Sequence, residues 1–183
     1  MNTRHSSLLC GLAAVTVGLI AVSASAASAA PRDKAFFEQV SGVWQGPGEI
    51  VAGKYKGTKF SCSLTGSPSE DGKAGLKLDG TCRVGIFSQP MSAVLADTGT
   101  TYKGKFLDGA SGKGLDIISG RVNKDNVVLG INRSKLNGAM IARLENDNAI
   151  NVTISVKVED RMVPVIGMKL NRQLDAVEVG AIK

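Results

Sequence analysis

Few side chains in this 183-residue sequence could carry catalysis. It has one His, His5, and three Cys: Cys10, Cys62 and Cys82. His5 and Cys10 fall in an N-terminal leader, so the body of the chain has no imidazole and two thiols. Without His, triads and His-dependent acid–base chemistry are excluded. No Gly-x-Ser-x-Gly elbow occurs. Gly109-Ala110-Ser111-Gly112-Lys113-Gly114 resembles a phosphate loop only superficially. Leu107 stands where the first Gly is required, Gly114 replaces the Ser/Thr, and a strand pattern follows instead of a helix. The acidic residues Glu70-Asp71, Glu145-Asn146-Asp147 and Glu159-Asp160 sit in turn sequences as solvated charge, and no calcium-loop spacing appears. No catalytic residue, metal site or cofactor is therefore expected.

The leader supplies an address. Arg4 precedes an uncharged, mostly apolar stretch, Leu8 to Val22. A small-residue run with two A-x-A sites follows, Ala24-Ser25-Ala26 and Ala27-Ser28-Ala29. This order of charge, apolar core and small residues is that of a cleaved secretory signal peptide. The stretch is too short and too rich in Ala, Ser and Gly to span a membrane. Cys10 precedes most of the apolar core, where a lipidated Cys would follow it. The expectation is a signal peptide over 1–29, cleavage between Ala27 and Pro31, and a periplasmic or secreted domain over 30–183 with no membrane span. The whole chain carries 22 Lys+Arg and 16 Asp+Glu, net +6; losing Arg4 leaves 21 against 16, net +5. Dispersed Lys, export and 4 % aromatic residues argue against nucleic acid. A basic surface outside the cytoplasm suits anionic lipid or anionic small molecules better.

In an oxidising compartment two Cys most simply form one disulfide. Phe60, Cys62 and Leu64 alternate with Ser61, Ser63 and Thr65, and Leu76, Leu78, Cys82 and Val84 alternate with polar residues. Both runs have the period of half-buried strands. Ser67-Pro68-Ser69-Glu70-Asp71-Gly72-Lys73 between them is a turn sequence. A hairpin reversing at Asp71-Gly72 sets Cys62 opposite Cys82, within bridging range.

Asp33 to Val40 reads as a short helix capped by Asp33. Everything after it reads as strand: 42–51, 56–66, 74–85, 90–96, 101–107, 115–122, 127–133, 139–145, 150–158 and 165–171. Turn signals separate the runs, among them Asn137-Gly138 and Asp97-Thr98-Gly99. The fold class is therefore all-β, an antiparallel up-and-down barrel of about ten strands behind a short N-terminal helix. One echo stands out: Tyr55-Lys56-Gly57-Thr58-Lys59-Phe60 and Tyr102-Lys103-Gly104-Lys105-Phe106. It reads as two strands starting alike, or as two basic segments at one opening.

Gly42-Val43-Trp44-Gln45-Gly46-Pro47-Gly48, after a short helix, resembles the opening motif of the calycin superfamily, and its Gly-x-Trp-x-Gly-x-Gly form is similar to the nitrobindin and fatty-acid-binding branch. The resemblance covers about seven residues. It implies a barrel whose Trp44 closes one end beneath an Arg near the end of the last strand, here Arg172. It also implies a lumen that receives a small ligand. The haem-ligating His of nitrobindin-type barrels has no counterpart, and Met162 and Met168 read as core residues.

The function expected is the binding of a small apolar or amphipathic, anionic ligand in a lumen lined by Phe60, Leu78, Leu129, Ile154 and Met168. The opening would lie opposite Trp44, with Lys56 and Lys103 at its rim. The alternative is a protein-interaction or protease-inhibitor module of the cell envelope with a filled barrel core. Small exported barrels that inhibit metalloproteases share the leader, barrel and disulfide, and carry a free N-terminal arm.

Overall fold

The computed structural model describes residues 29–108 and 114–174. The leader with His5 and Cys10, and most of the Gly109–Gly114 loop, lie outside these residues. The chain opens with helix α1 (Ala29–Gln39). Ten strands follow: β1 (Gly42–Ile50), β2 (Lys59–Pro68), β3 (Gly75–Val84), β4 (Phe87–Asp97), β5 (Tyr102–Leu107), β6 (Leu115–Val122), β7 (Asn126–Arg133), β8 (Leu136–Asn146), β9 (Ala149–Val158) and β10 (Arg161–Arg172). Each pairs antiparallel with the next, and β1 pairs with β10, so the sheet closes into the expected up-and-down barrel. Closure removes both sheet edges.

Alternation along each strand decides what is inside. In β2 the inward set includes Cys62 and Leu64, both buried, while Ser61, Ser63 and Thr65 are exposed. In β9 Ile150, Val152 and Ile154 are buried. Cys62 and Cys82 are direct partners in the β2–β3 ladder and are joined by a disulfide across a Cα separation of 4.0 Å. Both belong to the inward-facing core.

In an up-and-down meander, turns alternate between the two ends of the barrel. The β2–β3, β4–β5, β6–β7 and β8–β9 turns share one end with α1; the β1–β2, β3–β4, β5–β6, β7–β8 and β9–β10 turns share the other. We call these the closed end and the mouth.

Several expectations need correcting. Helix α1 begins at Ala29, so Asp33 lies within it and does not cap it. Its carboxylate is buried and accepts a hydrogen bond from the Tyr102 hydroxyl at 2.9 Å. At the mouth, three strands start earlier than their sequence signals indicated. Pro90 lies inside β4 opposite Thr81, and Pro164 lies inside β10 beside a register shift. Asn137-Gly138 pairs with Asn132 and Ile131 within β8, and the turn is made at Ser134-Lys135 instead, Ser134 adopting φ 57°. Proline and Asn-Gly read as breakers from local preference, but a sheet tolerates proline at bulges or where its missing N–H faces no partner.

Candidate functional site

The closed end is built from the Gly-x-Trp motif. Trp44 is 3 % exposed and its indole Nε1 donates to the Val40 carbonyl at 2.9 Å. Arg172, its direct ladder partner on β10, lays its guanidinium 4.3 Å from the indole ring centre. That guanidinium donates to three backbone carbonyls: Asp147 at 2.8 Å, Ser41 at 2.6 Å, and Gln39. One side chain thereby ties together α1, the start of β1 and the β8–β9 turn. A flat, always-charged group suits both tasks, stacking with its face and donating from its edge. Gly42 makes room for it: its φ is +114°, and a Cβ there would fall 2.7 Å from an Arg172 terminal nitrogen.

Helix α1 completes the seal. Phe36, Phe37 and Val40 are buried, and the Phe37 ring meets Tyr102 at 5.3 Å. Burial and the neighbouring Asp33 carboxylate raise the Tyr102 hydroxyl above its ordinary pKa, because both penalise a phenolate there. On the outer wall, Lys169 and Asn151 hold the Glu145 carboxyl below its usual range by hydrogen bonding to it.

The lumen wall is packed less tightly than this seal. Phe60, Leu78 and Met168 face inward from β2, β3 and β10 but are only half-buried. Leu129 and Ile154, from β7 and β9, are fully buried in the same core. The five expected lining residues thus share the interior, split between an accessible group and a packed group. Gly48 gives the Phe60 ring its place, since a Cβ at Gly48 would collide with that ring and with Met168. Met91, Leu115 and Met140 join the half-buried group. Met140 was legible as the same face as Ala142 and Leu144. Met91 falls within the expected run 90–96 but was not among the expected lining residues.

Lys56 lies exposed in the β1–β2 loop, at the mouth as expected. Lys103 does not lie there: it pairs with Ala96 beside the β4–β5 turn, at the closed end, and is exposed on the outer wall. The two Tyr-Lys-Gly segments therefore mark opposite ends, since β2 starts at the mouth and β5 starts at the closed end.

At the mouth, Arg133 and Asp108 form a two-pronged ion pair, at 2.8 and 3.1 Å, linking the end of β7 to the residue after β5. An open groove of about 540 Å³ lies elsewhere, beside the β4–β5 turn and β6–β7, lined by Thr101, Ser119, Arg121 and Asn123; of the five lumen residues, Leu129 borders it. Among the described residues no group of three or more His, Cys, Asp or Glu side chains comes together, and no helix is long and apolar enough to cross a membrane.

No family model matches the sequence, and no curated protein is significantly similar to it. Among solved structures the barrel is similar to the crystal structure of Rv2717c from M. tuberculosis, with a TM-score of 0.55 and 14 % identity, over 80 % of this chain and 100 % of that one. At that identity the likeness is one of fold: the chain is a closed ten-stranded antiparallel barrel with one short N-terminal helix.

Proposed function

We propose that the protein is an exported, calycin-like barrel that takes a small apolar or amphipathic ligand through the mouth opposite Trp44. The observation that carries this reading is a set of inward apolar side chains that the barrel does not fully bury. Phe60, Leu78, Met91, Met140 and Met168 pack on the core but stay half-accessible. Apolar groups left accessible inside a barrel are a surface that an apolar ligand covers favourably. Methionines in that group adapt to ligands of varied shape. Lys56 at the same end favours an anionic head group. The leader and the Cys62–Cys82 bridge both suit an oxidising, extracytoplasmic location. Asp33, Phe36 and Phe37 are packed into the barrel, which speaks against α1 acting as a free inhibitory arm.

Native mass spectrometry of protein purified from its own source tests the reading, with a retained small molecule as the expected result. A fluorescent fatty-acid analogue provides a second readout: it binds the wild type, and Met140→Trp, which narrows the lumen, weakens it. Ligand-free protein that also ignores the analogue defeats the proposal.

A further inference from the structure

Large apolar side chains that remain exposed are distributed unevenly over the barrel. Of the fourteen among the described residues, nine lie at the mouth: Val51, Val84 and Leu107 near strand ends, and Tyr55, Ile86, Phe87, Leu136, Val158 and Met162 at or beside the hairpin tips. Ile86 is 91 % exposed and Phe87 74 %, adjacent on the β3–β4 turn. Gly85, at φ 56°, lets that turn reverse within two residues. Tyr55 and Ile86 lie in the hairpin loops themselves, while Val84 and its ladder partner Phe87 end the inward-facing rows of β3 and β4 at the rim. Single exposed apolar residues are ordinary, but a ring of them on one end marks an interaction surface.

The charge around the ring indicates what it meets. Lys54, Lys56, Arg83, Lys135 and Arg161 stand exposed among the mouth tips. The carboxylates of the described mouth tips are Asp108, Glu159 and Asp160; Asp108 is paired with Arg133 at 2.8 Å and Asp160 with Lys157 at 3.8 Å. The closed-end turns have the opposite bias: Glu70, Asp71, Asp125 and Asp147 against Lys73 and Lys124. Apolar tips and cations therefore gather at the mouth, whereas the closed-end turns carry more carboxylates than cations.

We propose that the mouth docks on an anionic lipid bilayer, with Ile86 and Phe87 entering the interface and the surrounding Lys and Arg meeting the head groups. Apolar tips within a cationic ring match both layers of such a surface, and both contributions act together. The lumen would then open onto the membrane. The docking itself does not depend on lumen binding, because it uses side chains at the rim and hairpin tips and none of the five half-accessible residues inside the barrel.

The test is co-sedimentation with vesicles of equimolar phosphatidylglycerol and phosphatidylcholine, against phosphatidylcholine alone, at low and high salt. The wild type should bind the anionic vesicles, and salt should weaken the binding. The pair Ile86→Ser and Phe87→Ser should lower partitioning by at least about tenfold. Lys54→Gln and Lys135→Gln should each lower it by about fivefold. Val94→Ser removes an exposed apolar residue from the outer wall and should change nothing. All variants share one N-terminus, so a contact made by the leader would leave them equal and would overturn the proposal. Met140→Trp should leave vesicle binding intact, which separates failure here from failure of the lumen reading. Ile86→Trp provides an insertion readout independent of the serine variants: the new indole should shift to the blue with anionic vesicles, while the buried Trp44 gives a constant background. A wild type that stays in solution, or an indole that does not shift, refutes membrane docking and leaves the ring to a protein partner.

Discussion

The two ends of this barrel solve opposite problems with the same strands. At the closed end, backbone carbonyls and one oxygen of a buried carboxylate find named donors: Arg172 reaches three carbonyls, Trp44 a fourth, and Tyr102 the Asp33 Oδ2. At the mouth, apolar side chains are left exposed at the rim and on the tips. Stability should therefore concentrate where α1 lies, and binding where it does not, since regions poor in buried contacts are the ones available to move and to bind.

Substitutions that divide the two ends test this comparison. The largest effect is expected at Trp44. Trp44→Ala removes a buried indole, its hydrogen bond and the platform for Arg172, and should cost about 3–5 kcal/mol in chemical denaturation. Ile86→Ser at the mouth should stay within about 0.5 kcal/mol of wild type. Equal losses at both positions would erase the asymmetry.

The disulfide comes next. Opening Cys62–Cys82, which closes a sequence separation of 20 residues, should cost on the order of 3 kcal/mol on a chain-entropy estimate. The denaturation midpoint of the reduced protein or of the double Ala variant measures it. Two thiols reactive in unreduced protein would contradict the bridge.

Arg172→Ala should cost about 2 kcal/mol, from the lost stacking and the carbonyls left without their donor. It should also red-shift Trp44 emission as the indole gains solvent. Arg172→Lys should recover only part of the loss, because an ammonium neither stacks flat nor reaches three carbonyls in one geometry. Full recovery would mean that charge alone matters.

The smallest effect is one of pH. The folded protein keeps Tyr102 protonated above the pH at which the unfolded chain loses that proton. The stability this contributes is fully present below the unfolded tyrosine pKa of about 10, and is lost as pH rises through the higher folded value. Tyr102→Phe should cost about 1–2 kcal/mol near neutrality, by leaving Asp33 without its donor. It should also flatten the alkaline limb of a stability–pH curve. An unchanged limb would show that Tyr102 does not govern it.

Much of this architecture is local, and so was legible. Alternation in Phe60–Thr65 and Ile150–Val158 identifies strands because the period-two pleat needs no distant partner to show itself. Asp71-Gly72 places a reversal, and counting from it places Cys62 against Cys82. The motif Gly42–Gly48 located Trp44, and the last strand supplied Arg172. Strand ends at the mouth were read too short where Pro90, Pro164 and Asn137-Gly138 carried local breaker signals that the ladder overrides.

Local periodicity and turn chemistry are enough to assign which residues pair and which face inward. Which end each segment occupies, and what gathers there, is a property of the closed barrel. Asp33 meets Tyr102 across 69 residues, Arg172 meets Gln39 across 133, and Lys103 falls at the end opposite Lys56. Those outcomes depend on the number of reversals between segments and on the closure of β1 against β10. A barrel sets that arithmetic globally, and no stretch of a few residues contains it.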